Sequence, residues 1–219
     1  MMLKRFQNVF GRYVADIPGQ RRLAYSMSST DDFYDLIERN RRERHPGAVI
    51  RFHDLTNGRV YEPFALRENV LYGEPVFADG AYCFLRCDYD AGTVDLLRFL
   101  PERTPERLVS LRFADADPCA NLRVVGKGAH VVSQGDELRC YYPEAFSFPL
   151  RPHEAVCLIE DDRVLTEMWV EEGWDDENER ATADYRFYYK LLTRDLRGNV
   201  LSETIGTVYQ SPDGDWWIA

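Results

Sequence analysis

Ala81-Tyr82-Cys83-Phe84-Leu85-Arg86-Cys87-Asp88-Tyr89, then Asp90-Ala91-Gly92, then Thr93-Val94-Asp95-Leu96-Leu97-Arg98-Phe99-Leu100, is the stretch whose reading decides the fold. Ala81, Cys83, Leu85, Cys87 and Tyr89 alternate with Tyr82, Phe84, Arg86 and Asp88. A period of two places alternate side chains on opposite faces of a strand. Asp90-Ala91-Gly92 supplies turn residues and Thr93–Leu100 runs back, so the segment predicts a β-hairpin. Cys83 and Cys87, with Leu85 between them on one face, read as core packing.

The same punctuation continues in both directions. Upstream, Ala48, Ile50 and Phe52 alternate with Val49, Arg51 and His53, and Asn57-Gly58 follows, a dipeptide suited to the positive φ angles of a type I′ turn. Downstream, residues 131–133 face 138–142 around Gln134-Gly135-Asp136, and residues 155–159 face 164–170 around Asp161-Asp162. Residues 185–193 face 200–209 around Asp195–Asn199, which predicts the longest pair. One segment has helical spacing: Phe33, Leu36 and Ile37 predict a helix around residues 29–44, with Ser29 or Thr30 as its cap. Asp31, Asp32 and Asp35 suit its positive end, Arg39, Arg41, Arg42 and Arg44 its negative end, and His45-Pro46-Gly47 stops it. Without a second helix to make crossovers, the chain predicts a mainly β fold, an antiparallel hairpin meander arranged as a sandwich, a curved sheet or a small propeller. One domain over residues 1–219 is expected, an N-terminal segment 1–47 with the helix preceding a β-rich body 48–219.

Glu74-Pro75-Val76-Phe77-Ala78-Asp79-Gly80-Ala81-Tyr82-Cys83-Phe84-Leu85 and Ser211-Pro212-Asp213-Gly214-Asp215-Trp216-Trp217-Ile218 share a turn feeding an aromatic strand. These two stretches resemble the SPDG-type lead-in to a strand in TolB-like and WD-like β-propeller blades. Blades run about 40–45 residues, so the resemblance implies at most about four over residues 48–219.

The net charge of -10 is unevenly placed: residues 1–60 hold 11 Lys and Arg against 7 Asp and Glu, and the rest 16 against 30. Such a body repels polyanions, which argues against nucleic-acid and anionic-membrane partners. No run of about 18 apolar residues spans a bilayer, and Lys4, Arg5, Asn8 and Arg12 interrupt any secretory-type apolar stretch at the start. Five cysteines with no CxxC spacing fit neither a disulfide framework nor a zinc site, so a reducing cytoplasm is expected.

Catalytic spacings are missing. His45, His53, His130 and His153 form no HxH or HxxxH pair, there is no GxSxG, and Gly126-Lys127-Gly128 lacks the phosphate-loop spacing. His53 and Asp54, adjacent in a strand, point to opposite faces. No cofactor and no metal is expected; Asp175, Asp176, Glu177 and Asn178 are consecutive and point apart, unlike the alternate ligands of a calcium loop.

The candidate binding surface is the acidic, aromatic stretch from 167 onward. Glu167, Trp169 and Glu171 share one strand face, and Trp174, Asp175 and Asp176 follow. A carboxylate–ring–carboxylate row suits a sugar or a cation. Tyr185, Phe187 and Tyr189 share a face of a second strand, and Tyr188 lies opposite with Arg186 and Lys190. Tyr and Trp favour interfaces because one end is apolar and the other hydrogen-bonds. The chain is therefore expected to be a non-catalytic, soluble binding or assembly protein that contacts another protein or itself through Trp169, Trp174 and the Tyr185–Tyr189 strand; a carbohydrate is a further candidate partner. The alternative is a carboxylate hydrolase acting on a carbohydrate-like substrate. Glu167 and Glu171 stand about 13 Å apart along a strand, beyond the roughly 5–9.5 Å that glycosidases use, so Asp88 or Asp95 would have to complete that site. A third surface is the Arg39–Arg44 cluster, which could dock an anion or acidic protein.

Overall fold

The computed structural model describes residues 3–116, 119, 121–175 and 177–219. It is 51% strand and 4% helix, which makes it mainly β, in consecutive antiparallel meanders of which none closes into a barrel.

The first sheet contains β1 (Ala15–Asp16), β2 (Leu23–Met27), β3 (Ile50–Asp54) and β4 (Val60–Tyr61), with α1 (Phe33–Asn40) between β2 and β3. Strands thus begin inside the segment expected to hold only a helix. β2 carries no visible alternation because Leu23, Ala24, Tyr25 and Ser26 are all buried, and a strand buried on both faces loses the period of two. The helix is also shorter than the predicted 29–44. Asp32, not Ser29 or Thr30, caps it: Asp32 Oδ1 accepts from Asp35 N at 2.8 Å and Asp35 Oδ2 accepts from Asp32 N at 3.2 Å. That reciprocal pair satisfies two free donors at once, which a lone Ser or Thr cannot do.

The second sheet holds β5 (Val70–Tyr72), β6 (Val76–Ala78), β7 (Ala81–Asp88), β8 (Thr93–Phe99) and β9 (Glu106–Arg112). β5 and β6 lie along the same edge of β7, interrupted by Gly73-Glu74-Pro75, where Pro75 has no N–H to offer. The β7–β8 hairpin is the one read from residues 81–100, with Cys83, Leu85 and Cys87 buried. The third sheet comprises β10 (Arg123–Val125), β11 (His130–Gln134), β12 (Glu137–Tyr142) and β13 (Phe146–Pro149). The fourth comprises β14 (Glu154–Glu160), β15 (Arg163–Asp175), β16 (Arg180–Asp195) and β17 (Val200–Ile205), and a last hairpin pairs β18 (Val208–Gln210) with β19 (Trp216–Ile218). The longest pairing is therefore β15 with β16, not residues 185–193 with 200–209; it runs on past an irregularity where Gly173 alone on β15 stands against residues 182–185 of β16.

Two apolar clusters hold these sheets. The larger joins the first two sheets and α1 through Phe52, Phe84, Leu36 and Phe99 and reaches Leu122 and Val131. The smaller joins the third and fourth through Val132, Leu138, Phe148, Ile159 and Val164. Gly126 permits the approach between those last two. Its φ is +74° and a Cβ there would lie 2.2 Å from the Ile159 carbonyl oxygen. Gly126→Ala is expected to cost at least about 2 kcal/mol, because both the left-handed backbone and the contact are penalised. Urea unfolding checks this, and an unchanged midpoint would contradict it.

Candidate functional site

The fourth sheet is wide at its base and narrow at its end. β14 leaves β15 after Glu154 pairs with Met168, and β17 leaves β16 after Ile205 pairs with Lys190. Trp169 N still donates to the His153 carbonyl and Gly206 N to the Tyr189 carbonyl. Beyond them, residues 170–175 and 180–188 pair only with each other among the described residues. The sheet ends as a two-stranded ribbon with both outer edges open.

Alternation places Glu167, Trp169 and Glu171 on one face, opposite Leu191, Tyr189 and Phe187. Trp169, Trp174, Phe187 and Tyr189 are 37%, 44%, 60% and 42% exposed, so the aromatic row is open to solvent. Gly173 decides where Trp174 goes. By strict alternation Trp174 would share the face of Glu172, but the register shifts between Glu172 and Trp174, and Trp174 packs edge-on against Tyr185 with ring centres 5.9 Å apart. Gly173 breaks the alternation with a φ of +74°, and Trp174 meets Tyr185, whose hydroxyl binds Glu171 of the Trp169 face. A Cβ on Gly173 would come within 2.7 Å of the Asp184 carbonyl oxygen, so the bulge needs glycine.

The carboxylates of this row are already engaged. Tyr185 Oη donates to Glu171 Oε1 at 2.6 Å, and the Thr207 hydroxyl donates to Glu167. Trp169 also meets the His153 ring edge-on at 5.7 Å. Tyr188 lies on the other face, where its hydroxyl donates to Glu172 Oε1 at 2.8 Å and Arg186 Nε to Oε2 at 2.6 Å. The Tyr188 hydroxyl and then the Arg186 guanidinium hold the Glu172 carboxyl below its usual range. Tyr188 therefore does not join the Trp169 row. Asp175 forms the turn instead, accepting from Asn178 N at 3.2 Å and Nδ2 at 2.9 Å. Asp176, named with it from the sequence, lies outside the described residues.

The carboxylates invoked for hydrolysis do not come together here. Asp88 and Asp95 belong to the second sheet, where Arg67 holds Asp88 at 2.8 Å and Arg86 holds Asp95 at 2.6 Å. The two carboxylates are buried beneath the more exposed Arg67 and Arg86, whereas Glu167 and Glu171 stand on β15 with hydroxyl partners. His53 and Asp54 are likewise separate: His53 Nε2 meets Ser26 Oγ at 2.9 Å, and Asp54 Oδ2 takes Arg22 Nε at 3.1 Å. In the basic cluster, Arg39 pairs with Glu43, Arg41 with Glu38, and Arg44 with Glu68 and Asp90; among the described residues only Arg42 there has no ion pair. That surface is largely neutralised.

Phe187 is the exposed ring that the sequence places but does not single out; its alternation with Tyr185 and Tyr189 carried the signal. No family model, curated protein or solved structure matches the chain. No helix of the described residues is long and apolar enough to cross a membrane.

Proposed function

We propose that this chain is a non-catalytic binding protein that engages a partner protein through the β15–β16 ribbon. One observation carries the reading: a two-stranded ribbon, open on both edges, that presents Trp169, Trp174, Phe187 and Tyr189 to solvent. A two-stranded hairpin alone is marginally stable in water. Each large ring buries about 150–250 Å² when covered, so a partner laid across this row stabilises both the ribbon and the complex.

Charge says which kind of partner. Residues 171–186 hold Glu171, Glu172, Asp175, Asp176, Glu177, Glu179 and Asp184 against Arg180 and Arg186. A second copy brought tip to tip would meet the same acidic rim, and like charges oppose that contact. A different protein with an apolar patch inside a basic rim fits. The acidity likewise supports the absence of a nucleic-acid or anionic-membrane partner. The unpaired Cys83, Cys87, Cys119, Cys140 and Cys157 support a reducing compartment, the cytoplasm. The turns read from residues 74–85 and 211–218, with each four- or five-stranded sheet built from consecutive strands, support a propeller-like arrangement of the meanders.

The test compares the wild type with the Phe187→Ala/Tyr189→Ala double variant in affinity capture from its own cells, with every captured protein identified. Both rings are largely exposed, so the variant should lose less than about 1 kcal/mol of stability. Expected is a partner held by the wild type, released by added salt, and held at least about tenfold less well by the variant. Equal retention by the variant contradicts the reading. A dimer in light scattering that the double variant dissolves would assign the ribbon to self-association instead.

A further inference from the structure

The chain is acidic, yet one of its cavities has no acid among the described residues of its wall. A cavity of about 240 Å³ lies where the second sheet, β10, β14 and the last hairpin meet. Its polar lining is Arg123, Lys127, Gln210, Trp216 and the Cys157 thiol, and neither Asp nor Glu is among its described lining residues. Four of these groups are N–H donors, and they come from two separate parts of the chain, β10 with its following turn and the last hairpin.

Arg123 is the charged centre. Its Nη2 donates to the Val156 carbonyl at 2.8 Å and to Gln134 Oε1 at 3.2 Å. No carboxylate of the described residues forms an ion pair with it, whereas most arginines of this chain have one. The neighbouring sheets pack around it closely enough that burial pushes its pKa down, but it remains a cation. The residue is still exposed, and it lines both this cavity and a second of about 750 Å³.

Trp216 adds a second, independent sign. Its Nε1–H is buried and meets no acceptor among the described residues. Buried donors without an acceptor are uncommon in folded chains. The Gln210 side chain stands across β18–β19 from it, and the Gln210↔Trp216 pair aligns the two on one face of that hairpin. Lys127 is the least available donor, since its ammonium binds Glu160 at 2.6 Å. Burial pushes the Cys157 thiol up to about 11, so it stays a neutral thiol at the cavity wall. Val76, Phe77, Val124 and Leu158 supply the apolar remainder.

We propose that this cavity binds the oxyanion of a small organic molecule, a carboxylate or a phosphate, with Arg123 as the charged anchor and the Trp216 indole N–H and Gln210 amide as neutral donors. A guanidinium beside neutral N–H donors matches the geometry of such oxygens. The larger cavity shares Arg123, Val76 and Val124 with the smaller one and takes the body of the ligand. Its rim carries Asp16, Asp31, Asp32 and Glu74, which repel a second anionic group. The ligand is therefore anionic at one end only, which excludes polyanions. The site is separate from the ribbon and does not depend on it.

The experiment uses the full chain labelled with ¹⁵N, whose indole N–H signals report on Trp169, Trp174, Trp216 and Trp217 separately. The Trp216 signal is assigned by its loss in Trp216→Phe. Inorganic phosphate and benzoate are titrated in parallel, each against sodium chloride at matched ionic strength. Expected is a saturable shift of the Trp216 signal with one of the two probes, and little movement of Trp169 and Trp174; the probe that saturates identifies the source of the oxyanion. Arg123→Gln should weaken that binding at least about tenfold, and Arg123→Lys, which keeps charge but loses the fork, by less. Should Arg123→Gln lose its dispersed spectrum, calorimetric titration of Trp216→Phe and Arg123→Lys decides, both expected to bind more weakly than the wild type. No saturable shift with either probe overturns the proposal, and so does wild-type affinity in the Arg123 and Trp216 variants.

Discussion

Glu154→Ala is expected to cost about 3–5 kcal/mol of folding stability, the loss typical when one partner of a buried ion pair is removed. Glu154 and Arg194 are both buried, and the guanidinium grips the carboxylate twice, Nε to Oε1 and Nη2 to Oε2, each at 2.7 Å. The Thr166 hydroxyl from β15 and the Arg151 backbone N–H also donate to it. Arg194 in turn donates to the Gly198 carbonyl at 2.6 Å and lies over the Phe148 ring. Removing the carboxylate leaves that guanidinium in the interior with no counter-charge, at the base from which the ribbon extends. The double variant Glu154→Gln/Arg194→Met should be less damaged than Glu154→Gln alone, because it removes the orphan charge as well. Urea unfolding at pH 7 measures all three variants; a loss below about 1 kcal/mol for Glu154→Ala contradicts the expectation.

The same pair sets an acid limit. Burial alone would raise the Glu154 carboxyl, but hydrogen bonds from Arg194, Thr166 and the Arg151 N–H outweigh it and hold it below its ordinary 4.5. A carboxyl whose folded pKa is depressed contributes stability that is fully present above its unfolded pKa. That contribution is lost as pH falls from about 4.5 through the lower folded value. The wild type should therefore weaken more steeply than Glu154→Gln as pH falls below about 4.5. Parallel slopes would show that the pair carries no linkage.

Phe52→Ala should cost a comparable 3–5 kcal/mol or so, the usual range for emptying a buried ring. Phe52 is fully buried on β3, with its ring centre 4.7 Å from that of Phe99, 5.5 Å from Phe84 and 5.9 Å from Tyr82. Those three rings stand on β7 and β8, so Phe52 is a central contact by which the first sheet holds the second. Strands on both sides constrain the site, so it cannot collapse to refill the space. In a chain of this size the thermal midpoint should fall by on the order of 10 °C. Phe52→Leu, which keeps most of the volume, should recover more than half of the loss. An alanine variant that unfolds within 2 °C or so of the wild type would mean that the two sheets are held elsewhere.

These effects show where the chain is legible. The alternation over residues 81–100 yields β7 and β8 directly, since strand and turn are decided by neighbours in sequence. Residues 23–27 escape the same reading because their side chains are covered on both sides. The row Glu167, Trp169 and Glu171 is legible for the same reason as β7. Trp174 is not, because the register breaks at Gly173, where one residue of β15 stands against four of β16. Tyr188 is legible in the same way as the row: alternation sets it opposite Tyr185, Phe187 and Tyr189, and it lies there against Glu172.

By itself, then, the amino-acid order determined what is local: the mainly β class, most of the hairpins, the helix at Phe33–Asn40 to within a few residues, and the aromatic run on β15 and β16. A period of two and a turn residue act over a handful of bonds. Tertiary structure alone decided which carboxylates are occupied, where the ribbon loses its neighbours, and that Arg123, with no acid paired to it among the described residues, lines one cavity with Trp216. Those depend on groups separated by dozens of residues, and only the packing of one sheet on the next brings them within reach of a hydrogen bond.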